Sequence, residues 1–252
     1  MKHISLIAAL IATASTSGAA FAAPKDYSAA IAHDGRSAAA IKQDEGRKPA
    51  EILDFLGLKK GMDALDVLAI GGYYTQIMAR AVGSKGSVTA FEPTQFLNDK
   101  SKAAWTKLIK VQPNINLLAQ SMDKYSAKPA SFDFAMLHLV YHDFYWKSAK
   151  FKVPEQDPKT FLKSLHDSMR AGGIVGVVDH VGGKGDTRAT VQKTHRIDPA
   201  VIKADFVAAG FVFEAESNVL RTAADNDLSK SVFVPEVRGK SDRVVYRFRK
   251  PK

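Results

Sequence analysis

Three histidines and several carboxylates stand where a chain can do acid–base work. The stretch "HLVYHDFYW", residues 138–146, places His142 and Asp143 just past an apolar run. Asp179 and His180 close a second run, "GIVGVVDH", and His195 and Arg196 lie in "THRIDP". A neutral imidazole can take a proton from a hydroxyl or amine as that group attacks an electrophile. A guanidinium such as Arg196 can hold an anionic group of a substrate. His142, Asp143, His180 and His195 are also metal-ligand types, but no pair has a diagnostic spacing such as H-E-x-x-H, so no metal is assigned. His138, within its apolar run, reads as core. Tyr141, Phe144, Tyr145 and Trp146 either wall a pocket for an apolar or aromatic acceptor or pack the following helix.

A second constellation precedes it. In "ALDVLAIGGYYTQIMARAVG", residues 64–83, an apolar run carrying Asp66 breaks at Gly71-Gly72 and continues with helical character. Two glycines let the backbone turn tightly and approach a ligand. The helix that follows begins with free N–H groups aimed at the same place. Glu92 ends the next apolar run, where a carboxylate can accept hydrogen bonds from both ribose hydroxyls of an adenosine.

These residues need strands and helices in alternation to bring them together. "DALDVLAI", "SVTAFEP", "INLLAQS", "FDFAMLHL" and "GIVGVVDH" read as five buried strands, and "FVFEAES" and "RVVYRFRK" as two last ones. Between them "YYTQIMARAVG", "PTQFLNDKSKAAWTKLIKV", "PKTFLKSLHDSMRAGG", with a glycine stop, and "DPAVIKADFVAAGF", capped by Asp198, read as helices. Ahead of them Pro49 opens a helix that Gly57 closes. The pattern predicts an α/β three-layer sandwich: a mostly parallel, Rossmann-like sheet with helices on both faces. Ligands then bind beyond the carboxyl ends of the strands, at 70–74, Glu92, 121–123, 138–143 and 179–183. The loop "VGGKGDTRAT" reads as a flexible loop over that mouth, either a lid or an ordinary mobile connection, and 220–242 as a long polar segment before the last strand.

In these stretches the chain resembles the class I S-adenosylmethionine (SAM)-dependent methyltransferases, and among them an exported group of predicted methyltransferases. The resemblance runs from about Arg47 to Pro251, through "RKPAEILDFLGLKKGM", "GGYYTQIMARAVGSKG", "YHDFYW", "VVDHVG", "HRIDPAVIKADFVAAGF" and "KSVFVPEVRGKSDRVVYRFRKP" in order. It implies seven strands, with an antiparallel edge in the last pair, and SAM as cofactor. It implies that Asp66 lies near the sulfonium and amino-acid end of SAM, and that Gly71, Gly72 and Tyr73 form the turn beneath it. It further implies Glu92 as the ribose acid and Ser121, Met122 and Asp123 as the adenine edge. His142, His180, His195 and Arg196 are the candidate catalytic residues at the acceptor side. Leu68 and Ile70 depart from the family's acid-x-Gly-x-Gly-x-Gly loop and occupy its first two glycine positions.

The 252 residues are 46% hydrophobic and 25% charged, an ordinary globular mix. With no cysteine, disulfide frameworks and thiolate zinc sites are excluded. Lys2, the apolar stretch 4–14 and Ala20-Phe21-Ala22 read as a Sec signal peptide cleaved after Ala22. Residues 23–252 then form a single domain with an N-terminal extension over 23–47. The expected location is periplasmic or secreted, with no stable membrane insertion. The net charge of +10 is scattered and carries no known nucleic-acid module, so the expected partner is a small molecule rather than nucleic acid. The oligomeric state is unreadable. Three functions fit: a methyltransferase acting on a small acceptor, an exported binding protein that has lost SAM chemistry, or a metal-dependent enzyme on the same fold.

Overall fold

The computed structural model describes residues 26–32 and 34–252. The signal peptide read over 1–22 lies outside them. Three one-turn helices lead in, α1 Ser28–Ile31, α2 Ala38–Ile41 and α3 Asp44–Arg47. Then follow α4 Pro49–Leu56, β1 Asp63–Val67, α5 Tyr73–Val82, β2 Ser87–Pro93, α6 Asp99–Val111, β3 Ile115–Gln120 and β4 Phe132–His138. The second half comprises α7 Pro158–Ser168, β5 Met169–His180, α8 Thr187–Thr194, α9 Pro199–Ala208, β6 Val212–Ser217 and β7 Arg243–Arg249.

The caps follow the side chains. Pro49 stands in the first turn of α4, where its missing N–H costs nothing, and Gly57 closes it at φ 82°. Asp198 accepts from the Ala200 N–H and starts α9.

The sheet has seven strands in the order β3-β2-β1-β4-β5-β7-β6. All pairs are parallel except β5–β7 and β6–β7. The antiparallel strand is therefore β7, inserted between β5 and the edge strand β6. One face carries α4, α5 and α6 over a core with Ile52, Ile77, Phe134 and Val178. The other carries α7, α8 and α9 over Phe161, Leu165, Val175, Phe206 and Phe248. Gly176 is a glycine for packing: a Cβ there would run into the Leu56 side chain of α4.

Several expectations need correction. The helix read over 93–111 starts only at Asp99, where the Asn98 side chain accepts from the Ser101 N–H and caps it. The first strand stops at Val67, because Leu68 takes a left-handed conformation at φ 51°. The helix read over 158–173 ends at Ser168, and residues 169–173 are strand instead. There Gly172 donates to the Lys250 carbonyl and Lys250 to that of Gly173, a long-range ladder that local glycine propensity does not reveal. The loop read as flexible over 181–190 is partly helix: Asp186 accepts from the Ala189 N–H and caps α8.

Candidate functional site

The mouth lies at the carboxyl ends of β1, β2, β4 and β5. Gly71 and Gly72 turn the chain there at φ 81° and 72°, and Gly72 is the N-cap of α5. A Cβ on Gly71 would meet nothing within 4 Å, whereas one on Gly72 would come 3.0 Å from Trp105 Cη2. Gly72 is thus needed for packing and Gly71 for its backbone angle. Ile70, beside them, is 48% exposed.

Asp66 is buried on β1 and accepts from Thr75 Oγ1 at 2.5 Å. Burial raises its pKa to about 7. Glu92 is 1% exposed, and its Oε2 is buried with no partner among the described residues. Burial, then the nearby Asp66, raises it to about 7 as well. An unpartnered carboxyl oxygen at this strand end fits a hydroxyl donor such as a ribose supplies.

The other predicted cofactor residues divide. Ser121 Oγ accepts from Gln95 Nε2 at 2.7 Å and donates to Asp123, whose pKa that bond lowers. Met122 is buried and joins the core. Tyr73 keeps its backbone in the turn, but its hydroxyl donates to Asp44 Oδ1 at 2.6 Å. Its side chain therefore belongs to the N-terminal segment. That segment and α5–α6 enclose a cleft of about 640 Å³, lined by Arg36, Arg47, Ile70, Gly71, Gly72 and Lys107 among others.

On the acceptor side, His142 sits between two carboxylates. Its Nδ1 lies 2.7 Å from Asp179 Oδ1, its backbone N–H donates to Asp179 Oδ2 at 2.9 Å, and Nε2 lies 3.4 Å from Asp143 Oδ1. Burial works against a charge here, but Asp179 and Asp143 outweigh it and raise His142 to about 9. His142 is thus a cation at neutral pH. His180 bonds Ser241 Oγ through Nδ1 at 2.6 Å, and burial lowers it to about 3. His195, held at φ 52° where α8 ends, is lowered by burial to about 4. The His142 ring centroid is 5.8 Å from that of His180 and 5.5 Å from that of His195. Three histidines far apart in sequence thus form one group, with one charged and two neutral.

Arg196 does not belong to this mouth. It is fully buried and forms a two-pronged ion pair with Asp225 at 2.7 and 2.8 Å, while its Nε donates to the Lys230 carbonyl. With its donors committed, it anchors the segment after β6 and cannot take a substrate anion. Tyr141 and Phe144 are likewise core, and the hydroxyls of Tyr141 and Tyr145 both donate to Asp205 Oδ2. Trp146 does reach the mouth, 5.1 Å from the His195 ring. Two residues missed in the sequence join it: Phe151, 45% exposed, and Phe233, 55% exposed and 4.7 Å from His195. Nothing local marks them, since both lie in irregular segments. Among the described residues, no group of three or more His, Cys, Asp or Glu side chains is placed to hold a metal ion, and no helix is long and apolar enough to cross a membrane.

The sequence profile of the protein-L-isoaspartate (D-aspartate) O-methyltransferase family matches residues 39–127, which include the glycine turn, Glu92 and Ser121–Asp123. None of the curated proteins compared matches the chain. Among solved structures, a SAM-dependent methyltransferase from Aquifex aeolicus is similar over 82% of this chain and 97% of its own, with 19% identity and a TM-score of 0.56. The 1,6-didemethyltoxoflavin-N1-methyltransferase of Burkholderia thailandensis, with bound S-adenosylhomocysteine, is similar over 93% of both chains, with 18% identity and a TM-score of 0.55. The cyclase SpnF is similar over 86% of this chain and 84% of its own, with 16% identity and a TM-score of 0.56. The chain therefore has the Rossmann-like fold of the SAM-dependent methyltransferases.

Proposed function

We propose that the protein is a SAM-dependent methyltransferase acting on a small-molecule acceptor, exported after removal of residues 1–22. The observation that carries this reading is the orphaned Oε2 of buried Glu92 beside the Gly71–Gly72 turn. The profile match over 39–127 and the neighbour with bound S-adenosylhomocysteine support it. When bound, SAM supplies an electrophilic methyl group. Glu92 would hold the ribose, and Gly71 would let the backbone approach the cofactor. At the acceptor, His195 is neutral, half-buried and flanked by Trp146 and Phe233, and it is the group suited to take the acceptor's proton. His142 keeps its charge and serves to orient the site. Methyl transfer needs chiefly this positioning.

A second reading, a binding protein that keeps the fold without the chemistry, is favoured by Leu68 and Ile70 in the turn. Leu68 is buried there at φ 51°, where glycine would be unstrained. Calorimetric titration of SAM and S-adenosylhomocysteine into protein from Ala23 onward separates the two. The methyltransferase reading expects binding that Glu92→Ala weakens by about 1–3 kcal/mol. No binding of either ligand at millimolar concentration sinks it. N-terminal sequencing of exported protein, expected to begin at Ala23, tests the location.

A further inference from the structure

On the face of the sheet that carries α4 and α5, two guanidinium groups and an imidazole lie near the strand ends. Arg47 ends α3, with its guanidinium 4.3 Å over the Tyr73 ring. Arg243 opens β7, in register with His180 of β5, and is 7% exposed. His138 ends β4 on the same face, with its ring 4.7 Å from that of Tyr74. Among the described residues the Tyr74 hydroxyl bonds only the Arg47 carbonyl, at 3.5 Å.

Neither arginine forms an ion pair with a carboxylate among the described residues. The carboxylates nearby are committed elsewhere: Asp44 to Arg36, Asp242 to Arg221 through two bonds of 2.9 Å, and Asp66 to Thr75. Among the described residues the Arg243 Nε donates only to the carbonyl of Ser241, at 3.2 Å. His138 Nε2 is buried with no partner among the described residues. Burial, then the Arg47 and Arg243 charges, holds His138 neutral. A sheltered guanidinium with no bonded carboxylate, such as Arg243, is costly, and an uncompensated polar atom beside it adds to that cost. A ligand anion would relieve all three at once.

We propose that Arg47, Arg243 and His138 form a binding site for an oxyanionic group, a carboxylate or phosphate, and that the acceptor carries it. The anion would accept from both guanidinium groups and, in its Nε2–H tautomer, from His138. Arg243 stands on the β5–β7 side of the mouth, with β4 and β5 between it and β1, whose end carries the glycine turn. That is the half away from Glu92, whereas Arg47 stands over Tyr73 at the glycine turn, so the site lies between the two halves and Arg243 supplies its acceptor side. The net charge of +10 favours the approach of an anion. The assignment to an acceptor rests on the methyl-transfer reading, whereas the anion site does not.

Thermal unfolding tests it, with sodium acetate and sodium phosphate as probes at constant ionic strength. In their absence, Arg243→Met is expected to melt higher than wild type, because an unpaired sheltered charge is gone. The anions should raise the wild-type Tm, and Arg243→Met and Arg47→Met should each weaken that effect at least tenfold in anion concentration. Saturating S-adenosylhomocysteine, which carries its own carboxylate, should leave the anion effect in place. Variants that melt lower while the anions act on every form equally would make the arginines structural and overturn the site. So would a wild type that the anions leave unchanged. Loss of the anion effect with S-adenosylhomocysteine would assign the site to the cofactor and overturn the acceptor's claim. Failure to bind S-adenosylhomocysteine sinks the methyl-transfer reading alone, since the arms without it still decide the anion site.

Discussion

At the scale of single residues, Glu92 carries the most information. Its pKa rises from an ordinary 4.5 to about 7. The folded state therefore holds this proton more tightly than the unfolded state. The stability that results is fully present below about pH 4.5 and is lost as pH rises through about 7. Glu92→Gln cannot ionise. It should be more stable than wild type at pH 8 by about 1–3 kcal/mol, the scale for an unsatisfied buried group, with a smaller difference at pH 5. Urea unfolding at the two pH values measures this, and an equal difference at both would mean that Glu92 is solvated. His195 titrates the other way. Lowered to about 4, it remains a neutral base across the physiological range. Methyl transfer should therefore show no loss from this group between pH 8 and 5, and should fall only as pH nears 4. His195→Asn should lower kcat by about 10²-fold or more without changing SAM affinity, as removal of a general base does.

At the scale of elements, the site depends on how closely α4 lies on the sheet. Gly176 in β5 faces the Leu56 side chain with no room for a methyl group. Gly176→Ala should cost about 1–3 kcal/mol by overpacking. Adding Leu56→Ala should recover part of that loss, so the two costs should not add. A double-mutant cycle by chemical denaturation reads the coupling, and strict additivity would contradict this packing. Elements were legible where their signals are local. Pro49, Gly57 and Asp198 mark helix ends by caps that act within one turn, and β2 was read with its observed bounds. Elements were misread where partners are distant. Residues 169–173 became strand because Phe132 of β4 pairs with Met169, and Lys250, just past β7 and some eighty positions on, bonds Gly172 and Gly173.

At the scale of the molecule, the segment between β6 and β7 is tied back by one buried ion pair. Arg196 and Asp225 are both almost wholly enclosed. Removing one partner leaves the other charge uncompensated, so Asp225→Ala should cost about 3–5 kcal/mol. Hydrogen exchange should increase first across 218–242 if that loss is local. Unchanged stability would mean that the pair is solvated. The same pair explains why Arg196 was misplaced. A guanidinium near a mouth looks the same in sequence whether it faces a ligand or an aspartate 29 positions away.

By itself the sequence determined the alternation of strands and helices, the glycine turn, and which carboxylates and imidazoles stand at strand ends. These follow from hydrophobic periodicity, capping and turn chemistry, which act over a few residues. Only the tertiary structure decided what each polar group faces. It committed Arg196 and Tyr141 to internal partners, set His142 between two carboxylates, brought Phe151 and Phe233 to the rim, and left Glu92 Oε2 and His138 Nε2 without partners. Charge state and hydrogen bonding depend on burial and on neighbours that arrive from distant parts of the chain, and local pattern does not encode those neighbours.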